Sequence, residues 1–431
     1  MRRRLSIAAL SVTAAAAVVF YGLIFWPLRN PHPLVRPSEG LLAIRDARIY
    51  PSPDDPPLAR ATVVVRDGRV SAVGTDISIP PGAQMIPCDH CVVAAGFWNA
   101  HVHFTEPKWR FADLKSSGTL NRQLADMLTS RGFTTVVDVG SDLRVTVSLR
   151  RRIEAGGLPG PKIYTAGAAQ YPPHGIPFYL RETLPKYLLH FMPQPATPAE
   201  AADIEERNIA HGADVLKLFT GSYVERGIVL PMPEANAKAA VAVAHRHGQL
   251  AFSHPSDLRG VLIALHSGVD VLAHAPDTTE GVDAELLHTL VARHMAMIPT
   301  LKMFATTVST RASYLEPIYA EVRDFHDLGG ELLFGTDVGY MTDYATNEES
   351  LALQKSGLNT TDILRMLTTA LANRFGVQTT TGRVLVGQVA DLVVLGRDPS
   401  DDVTAFADVQ YTIRGGRVIY RRRPFGNHAA P

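Results

Sequence analysis

Eight short apolar runs, each followed by a helix-like stretch, fill residues 96–382, and this alternation constrains the fold more than any other feature. The runs are residues 97–103, 134–139, 162–166, 214–219, 249–254, 269–274, 295–301 and 331–337. Strands that alternate with helices predict a parallel sheet, and eight of them predict an α/β chain closed into a (β/α)8 TIM barrel. Helical stretches at 234–247 and 257–267 run up to Gly248 and Gly268, the residue type that ends helices most readily. In such a barrel the active site lies at the C-terminal ends of the strands.

The flanks have a different texture. Residues 41–50, 61–66 and 69–73 are strand-like, with Asp67-Gly68 as a hairpin turn signal; residues 391–395 and 411–420 are strand-like around Gly415-Gly416. Together, 41–95 and 383–422 predict one small β-sandwich domain built from both ends of the chain. Ahead of it, Arg2, Arg3 and Arg4 precede an uncharged run from Leu5 to Leu28. As a helix that run spans about 36 Å, enough to cross a hydrocarbon core of about 30 Å. Residues 1–30 are therefore expected to form a transmembrane helix, either an uncleaved signal anchor or a cleaved signal peptide. Bulky Val18, Val19, Phe20 and Tyr21 after the small residues 14–17 favour the anchor. The arginines would stay cytoplasmic, which places the catalytic domain on the extracytoplasmic side, periplasmic or extracellular; cleavage would make the protein secreted. Residues 31–40, with Pro31, Pro33 and Pro37, read as a stiff linker.

Composition narrows the classes. With 46% apolar and 19% charged residues in 431, the chain can bury a large core. Lys+Arg and Asp+Glu are both 42, which argues against nucleic acid as a partner. The two cysteines exclude a disulfide scaffold, and Cys88-Asp89-His90-Cys91 is open to three readings: a local disulfide, free thiols, or an incomplete zinc site.

The chemistry-bearing residues gather at the predicted strand ends. His101 and His103 close the first strand, and residues i and i+2 of a strand share a side. His254, His274 and Asp337 close the fifth, sixth and eighth strands, and Lys217 lies inside the apolar fourth. Four imidazoles and a carboxylate at one rim can hold divalent metal, and zinc suits this mix of nitrogen and oxygen best. By contrast, His245 and His247 sit at a predicted helix C-terminus, where histidine favours the dipole and caps carbonyls.

These residues carry a resemblance. The segment Ala95-Gly96-Phe97-Trp98-Asn99-Ala100-His101-Val102-His103, with Gly387-Gln388-Val389-Ala390-Asp391-Leu392 near the other end, resembles the metal-dependent amidohydrolase superfamily. Residues 132–138 and 213–217 are similar to its branch of imidazolonepropionase-like proteins and Xaa-Pro or Xaa-Arg dipeptidases. The resemblance implies two divalent metal ions. His101, His103 and Asp337 would hold the buried one and His254 and His274 the other, while Lys217, carboxylated by CO2, would bridge both. It also implies hydrolysis of an amide, dipeptide or cyclic amide C–N bond by a metal-bound hydroxide, with Asp337 passing a proton to the leaving amine. Asn99 stands where many relatives carry Asp, with little expected effect on binding.

Substrate contacts are read from the loops. His174, in a long proline-rich loop at 168–198, and Tyr223, just past the fourth strand, are the candidate donors to a substrate carbonyl or oxyanion. Tyr171, Phe178, Tyr179, Tyr187 and Phe191 form either an apolar lid or that loop's own small core. The expected partner is a small-molecule or dipeptide-like substrate; a homo-oligomer is left open. Lactone, carbamate or phosphotriester hydrolysis at the same metal site is the alternative activity, and a non-catalytic binding module is a remote one.

Overall fold

A computed structural model describes residues 40–423. The first five strands belong to the flanking sheet: β1 (Leu41–Ile49), β2 (Leu58–Arg66), β3 (Arg69–Gly74), β4 (Gln84–Ile86) and β5 (Val92–Ala95). Barrel strands β6 (Phe97–Val102), β7 (Phe133–Asp138) and β8 (Lys162–Thr165) follow. Then come β9 (Val215–Phe219), a hairpin of β10 (Gly221–Glu225) and β11 (Ile228–Pro231), and β12 (Leu250–His254). The short β13 (Val271–Ala273), β14 (Ala296–Ile298) and β15 (Glu331–Leu332) complete the barrel. Finally β16 (Leu392–Leu395), β17 (Val409–Arg414) and β18 (Arg417–Arg421) return to the flanking sheet.

Both chain ends share that sheet, in the order β18-β17-β16-β5-β1-β2-β3 with β4 on β1. Its turns obey local chemistry. Asp67 and Gly68 have φ of 49° and 76°, and Gly415 and Gly416 have 54° and 73°, the double positive φ of a two-residue hairpin. Hydrogen bonding runs continuously from one half of this domain to the other. The reason lies in β1, which is kinked at Asp46 (φ 59°), so its first half pairs with β4 and its second half with β5. Alternation then serves two cores. Val92, Ala94, Val393 and Leu395 pack into the barrel's outer core, while Val93, Ala95, Leu392 and Val394 pack into the sheet's own.

In the middle of the chain β6-β7-β8 and β9-β12-β13-β14-β15 are two parallel sheets. Backbone bonds close them into a ring. Gln170 N–H donates to Lys217 O (3.0 Å) on one side, and Ala100 N–H to Phe334 O (2.7 Å) and His103 N–H to Val338 O (2.8 Å) on the other. Trp98, Ala100, Val137, Val215, Phe252, Val271 and Ile298 fill the interior, so the barrel is a packed core whose chemistry must sit at its mouth.

Local signals set most boundaries. Asp257 caps helix Leu258–Ser267 through the Gly260 N–H, and Gly268 ends it at φ 78°. The run expected as strand 295–301 stops earlier, because Thr300 turns left-handed (φ 49°) and opens helix Leu301–Thr307. Between 333 and 338 the last barrel strand lacks regular ladder pairing, yet it still bonds to its neighbours through Leu333 N–H to Met297 O and Asp337 N–H to His101 O.

The membrane-anchored, extracytoplasmic placement expected from the N-terminus is corrected here. Among the described residues no helix is long and apolar enough to cross a membrane, so the fold lends that placement no support. The anchor and most of the linker, residues 1–39, lie outside the described residues.

Candidate metal and active site

The cluster begins with a local irregularity. Ala100 faces the barrel interior, so strict alternation would turn His101 outward. The pairing of β6 with β7 shifts between Asn99 and Val102, and this shift brings His101 into the mouth with His103. Asn99 holds the irregularity: its Oδ1 accepts from His101 N–H (3.1 Å) and Thr336 N–H (3.2 Å), and its Nδ2 donates to Thr336 Oγ1 (2.7 Å). That ties the first strand to the segment carrying Asp337.

His101, His103 and Asp337 each offer a ligand atom within 4.8 Å of the others. Asp337 Oδ1 is 3.0 Å from His103 Nε2 and 3.4 Å from His101 Nε2, yet it lacks hydrogen-bond geometry to either; the two Nε2 atoms are 3.2 Å apart. Two ring nitrogens and a carboxylate oxygen this close together make a candidate cation site. The outer contact of His103 fits this: Nδ1 lies 2.9 Å from Gly140 O, which can only accept, so Nδ1 carries the proton and Nε2 keeps its lone pair.

The other predicted ligands converge on the same mouth. The His274 ring is 4.5 Å from that of His101 and 4.6 Å from that of His254, which stacks on Phe219 at 4.7 Å. Lys217 is buried, and its Nζ has no hydrogen-bond partner. An unpaired ammonium in such a place is costly. Burial lowers the Lys217 pKa to about 7, although Asp337 opposes the shift. Burial likewise holds His101, His254 and His274 well below the usual imidazole value, with mutual repulsion and Lys217 adding to it. These three rings are neutral at pH 7 and can act as ligands. Burial opposes protonation of His103 too, but the Asp337 carboxylate 3.0 Å away, the charge of Asp138 and the Gly140 carbonyl raise its pKa overall.

The substrate-side residues fall elsewhere. Tyr223, on the β10–β11 hairpin, is bound through its hydroxyl to Asp277 Oδ1 (2.9 Å) and Thr278 Oγ1 (3.0 Å). His174 sits exposed on a turn with φ of 59°, and no hydrogen bond joins it to the cluster among the described residues. The loop aromatics divide. Tyr171 packs on Phe219 at 4.5 Å, Tyr179 lies 5.4 Å from Tyr340, and Tyr187 and Phe191 are exposed. His245 and His247 pair with Asp270 and Glu206 on the surface, apart from the cluster. Cys88 and Cys91 form a disulfide, which settles their three readings.

Several functional neighbours escaped the sequence reading: Thr300 on His274, Asp277 between Tyr223 and Tyr314, and Tyr340 against Tyr179. Tyr340 had a usable signal, lying three residues past a predicted ligand. The others are joined only by the fold.

A sequence profile described as the amidohydrolase family matches residues 92–419. The chain belongs to the amidohydrolase family. Its membership identifies a metal-dependent hydrolase of amide C–N bonds. Among amidohydrolase relatives, ochratoxinase of Aspergillus niger is 24% identical over 437 residues, covering 91% of this chain and 89% of its own. A crystal structure of a Xaa-Pro dipeptidase with methionine bound in its active site superposes with a TM-score of 0.75 at 21% identity, covering 89% of this chain and all of that one. A prolidase complexed with N-methylphosphonate-L-proline gives 0.73 at 23% identity, with coverage of 89% and 100%. At these identities the structural matches speak for the fold of this amidohydrolase.

Proposed function

We propose that the protein hydrolyses the amide bond of a dipeptide-like or N-acyl amino acid substrate at a site for two divalent metal ions, zinc being the best chemical fit. The observation that carries this is the unpaired Lys217 amine, buried beside His101, His254, His274 and Asp337. With a pKa near 7 this amine is substantially neutral at physiological pH, the form that attacks CO2. Attack and loss of one proton leave an anionic carbamate, whose two oxygens suit a position between cations where an ammonium would be repelled.

In the proposed arrangement His101, His103 and Asp337 hold one metal, and His254 and His274 the second, with Lys217 between them. Bound metal would supply an activated water and polarise the scissile carbonyl. Asp337 would also take the proton from the attacking water and deliver it to the leaving nitrogen. His174, on the exposed loop, and Tyr223 are the proposed donors to the substrate carbonyl; the Tyr223 hydroxyl proton goes to Asp277 in this structure, so Tyr223 donates to substrate only after releasing that bond. Tyr179 and Tyr340 offer apolar surface beside Asp337 for the side chain next to the scissile bond. The dipeptidase and prolidase relatives support the dipeptide reading, and the ochratoxinase relative supports an N-acyl amino acid.

The test pairs metal content with a turnover panel of Xaa-Pro dipeptides, N-acyl amino acids and esters of matched leaving-group size. Two zinc ions per chain and faster amide turnover are expected. Less than one metal per chain in protein purified without chelator would refute the site, and ester or lactone preference would transfer it to the alternative bond.

A further inference from the structure

One buried carboxylate near the mouth has no part in the proposed chemistry. Glu349, 1% exposed on helix Asn347–Lys355, accepts the backbone N–H groups of Leu301 (3.0 Å) and Lys302 (2.7 Å) with its two oxygens. The same start of helix is pinned again from this side: Lys302 Nζ lies 2.8 Å from Asp343 Oδ2 and 2.7 Å from Glu348 Oε2. Immediately before these amides stands Thr300, fully buried at φ 49°. A β-branched residue avoids this left-handed region, so the neighbours must impose it.

The strained threonine touches the metal cluster. Its Oγ1 donates to Pro299 O (2.7 Å) and lies 2.6 Å from His274 Nδ1. With its only proton given to the Pro299 carbonyl, the hydroxyl can only accept from the ring. His274 is therefore held with Nδ1 protonated and Nε2 bearing the lone pair, the tautomer a metal ligand needs.

We infer that Glu349 is a positioning residue for His274, acting through Thr300: its carboxylate clamps the two amides that hold Thr300 left-handed, and the Thr300 hydroxyl sets the ring's tautomer and direction. The inference rests on the reading of His274 as a metal ligand. It links the ends of three consecutive barrel strands, so that the segment following Asp337 also orients a ligand of the second metal.

Three variants in the full chain test it: Thr300→Ser, Thr300→Gly and Glu349→Gln. Glycine relieves the left-handed strain but removes the hydroxyl, so a purely structural role for this corner would leave T300G unimpaired. The readouts are zinc affinity by chelator competition and the His274 tautomer by 15N NMR of metal-free protein. Thr300→Ser should stay within about threefold of the parent affinity and keep Nδ1 protonated. Thr300→Gly and Glu349→Gln should weaken the second zinc by about 10- to 100-fold, the range for losing such an outer contact, and should give mixed tautomers. Should Glu349→Gln not fold, Glu349→Asp, shorter by one methylene, replaces it with the same expected loss. Parent-like affinity and a pure Nδ1–H tautomer in T300G or in the Glu349 variant would overturn the inference. If the parent protein binds no metal, the proposed function fails, and the metal-free tautomer alone decides this point.

Discussion

Gly339 is the position where the smallest change should do the most to the site. It has φ of +99° and lies two residues past Asp337, and a Cβ built there would meet the His103 carbonyl oxygen at 1.8 Å. That is about 1.6 Å short of the 3.4 Å at which ordinary contact begins. Neither partner is a flexible side-chain tip. Gly339 is held by its N–H to Met341 O (2.9 Å) and by Thr105 Oγ1 on its carbonyl (2.8 Å), while His103 N–H is bonded to Val338 O (2.8 Å). The strain must therefore open the gap between the His103 and Asp337 segments, whose ligand atoms are 3.0 Å apart. A shift of about 1 Å in such a constellation costs about 10²-fold in rate. We expect Gly339→Ala to lose metal and about two orders of magnitude in kcat/KM. Gly387→Ala is the control: φ is +92° but nothing lies within 4 Å, so only the conformational cost of about 1 kcal/mol applies, without effect on the site. Metal per chain by mass spectrometry, kcat/KM and Tm are measured on all three proteins. A folded G339A with full metal and kcat/KM within threefold of the parent would refute the reasoning.

Other outcomes are open to simpler measurement. Lys217→Ala should strip the second metal and most activity; unchanged turnover would count against a binuclear site. Burial pushes the Glu205 carboxyl from its ordinary 4.5 to about 8, so the folded protein keeps a proton there that the unfolded chain has lost. Stability should then fall as pH rises from about 4.5 to about 8, by up to about 5 kcal/mol. Glu205→Gln should flatten that fall in denaturant titrations at pH 5.5, 7 and 8.5, and parallel profiles for the two proteins would contradict it. Denatured but unreduced protein should show no thiol reactive towards a colorimetric thiol reagent, since Cys88 and Cys91 are joined.

How far the site was legible depends on the residue. His101, His103, His254, His274 and Asp337 could each be named because a strand's end can be located from its own apolar run, Lys217 because it is a charged residue inside one, and the structure gathers all six at one mouth. Thr300 could not be found that way. It ends a run that continues apolar into Leu301, and its left-handed turn is imposed by Glu349, 49 residues away. The β10–β11 hairpin that carries Tyr223 was missed for a related reason: its strands are short, and its partners on the 168–198 loop, where Ser222 Oγ donates to Gly175 O, are remote.

What the chain settles by itself is what neighbours along it can enforce: turn pairs such as Asp67-Gly68 and Gly415-Gly416, capping by Asp257 and Gly268, strand alternation, and the donor types at each strand end. Such signals repeat every two to four residues and need no distant partner. Tertiary structure decided the rest: the kinked β1 that merges two halves into one sheet, the shift in β6 that turns His101 inward, and the approach of Asp337 to imidazoles more than 230 residues earlier. Those depend on ring closure, which brings backbone groups from opposite ends of the barrel within bonding distance, and no local pattern encodes that approach.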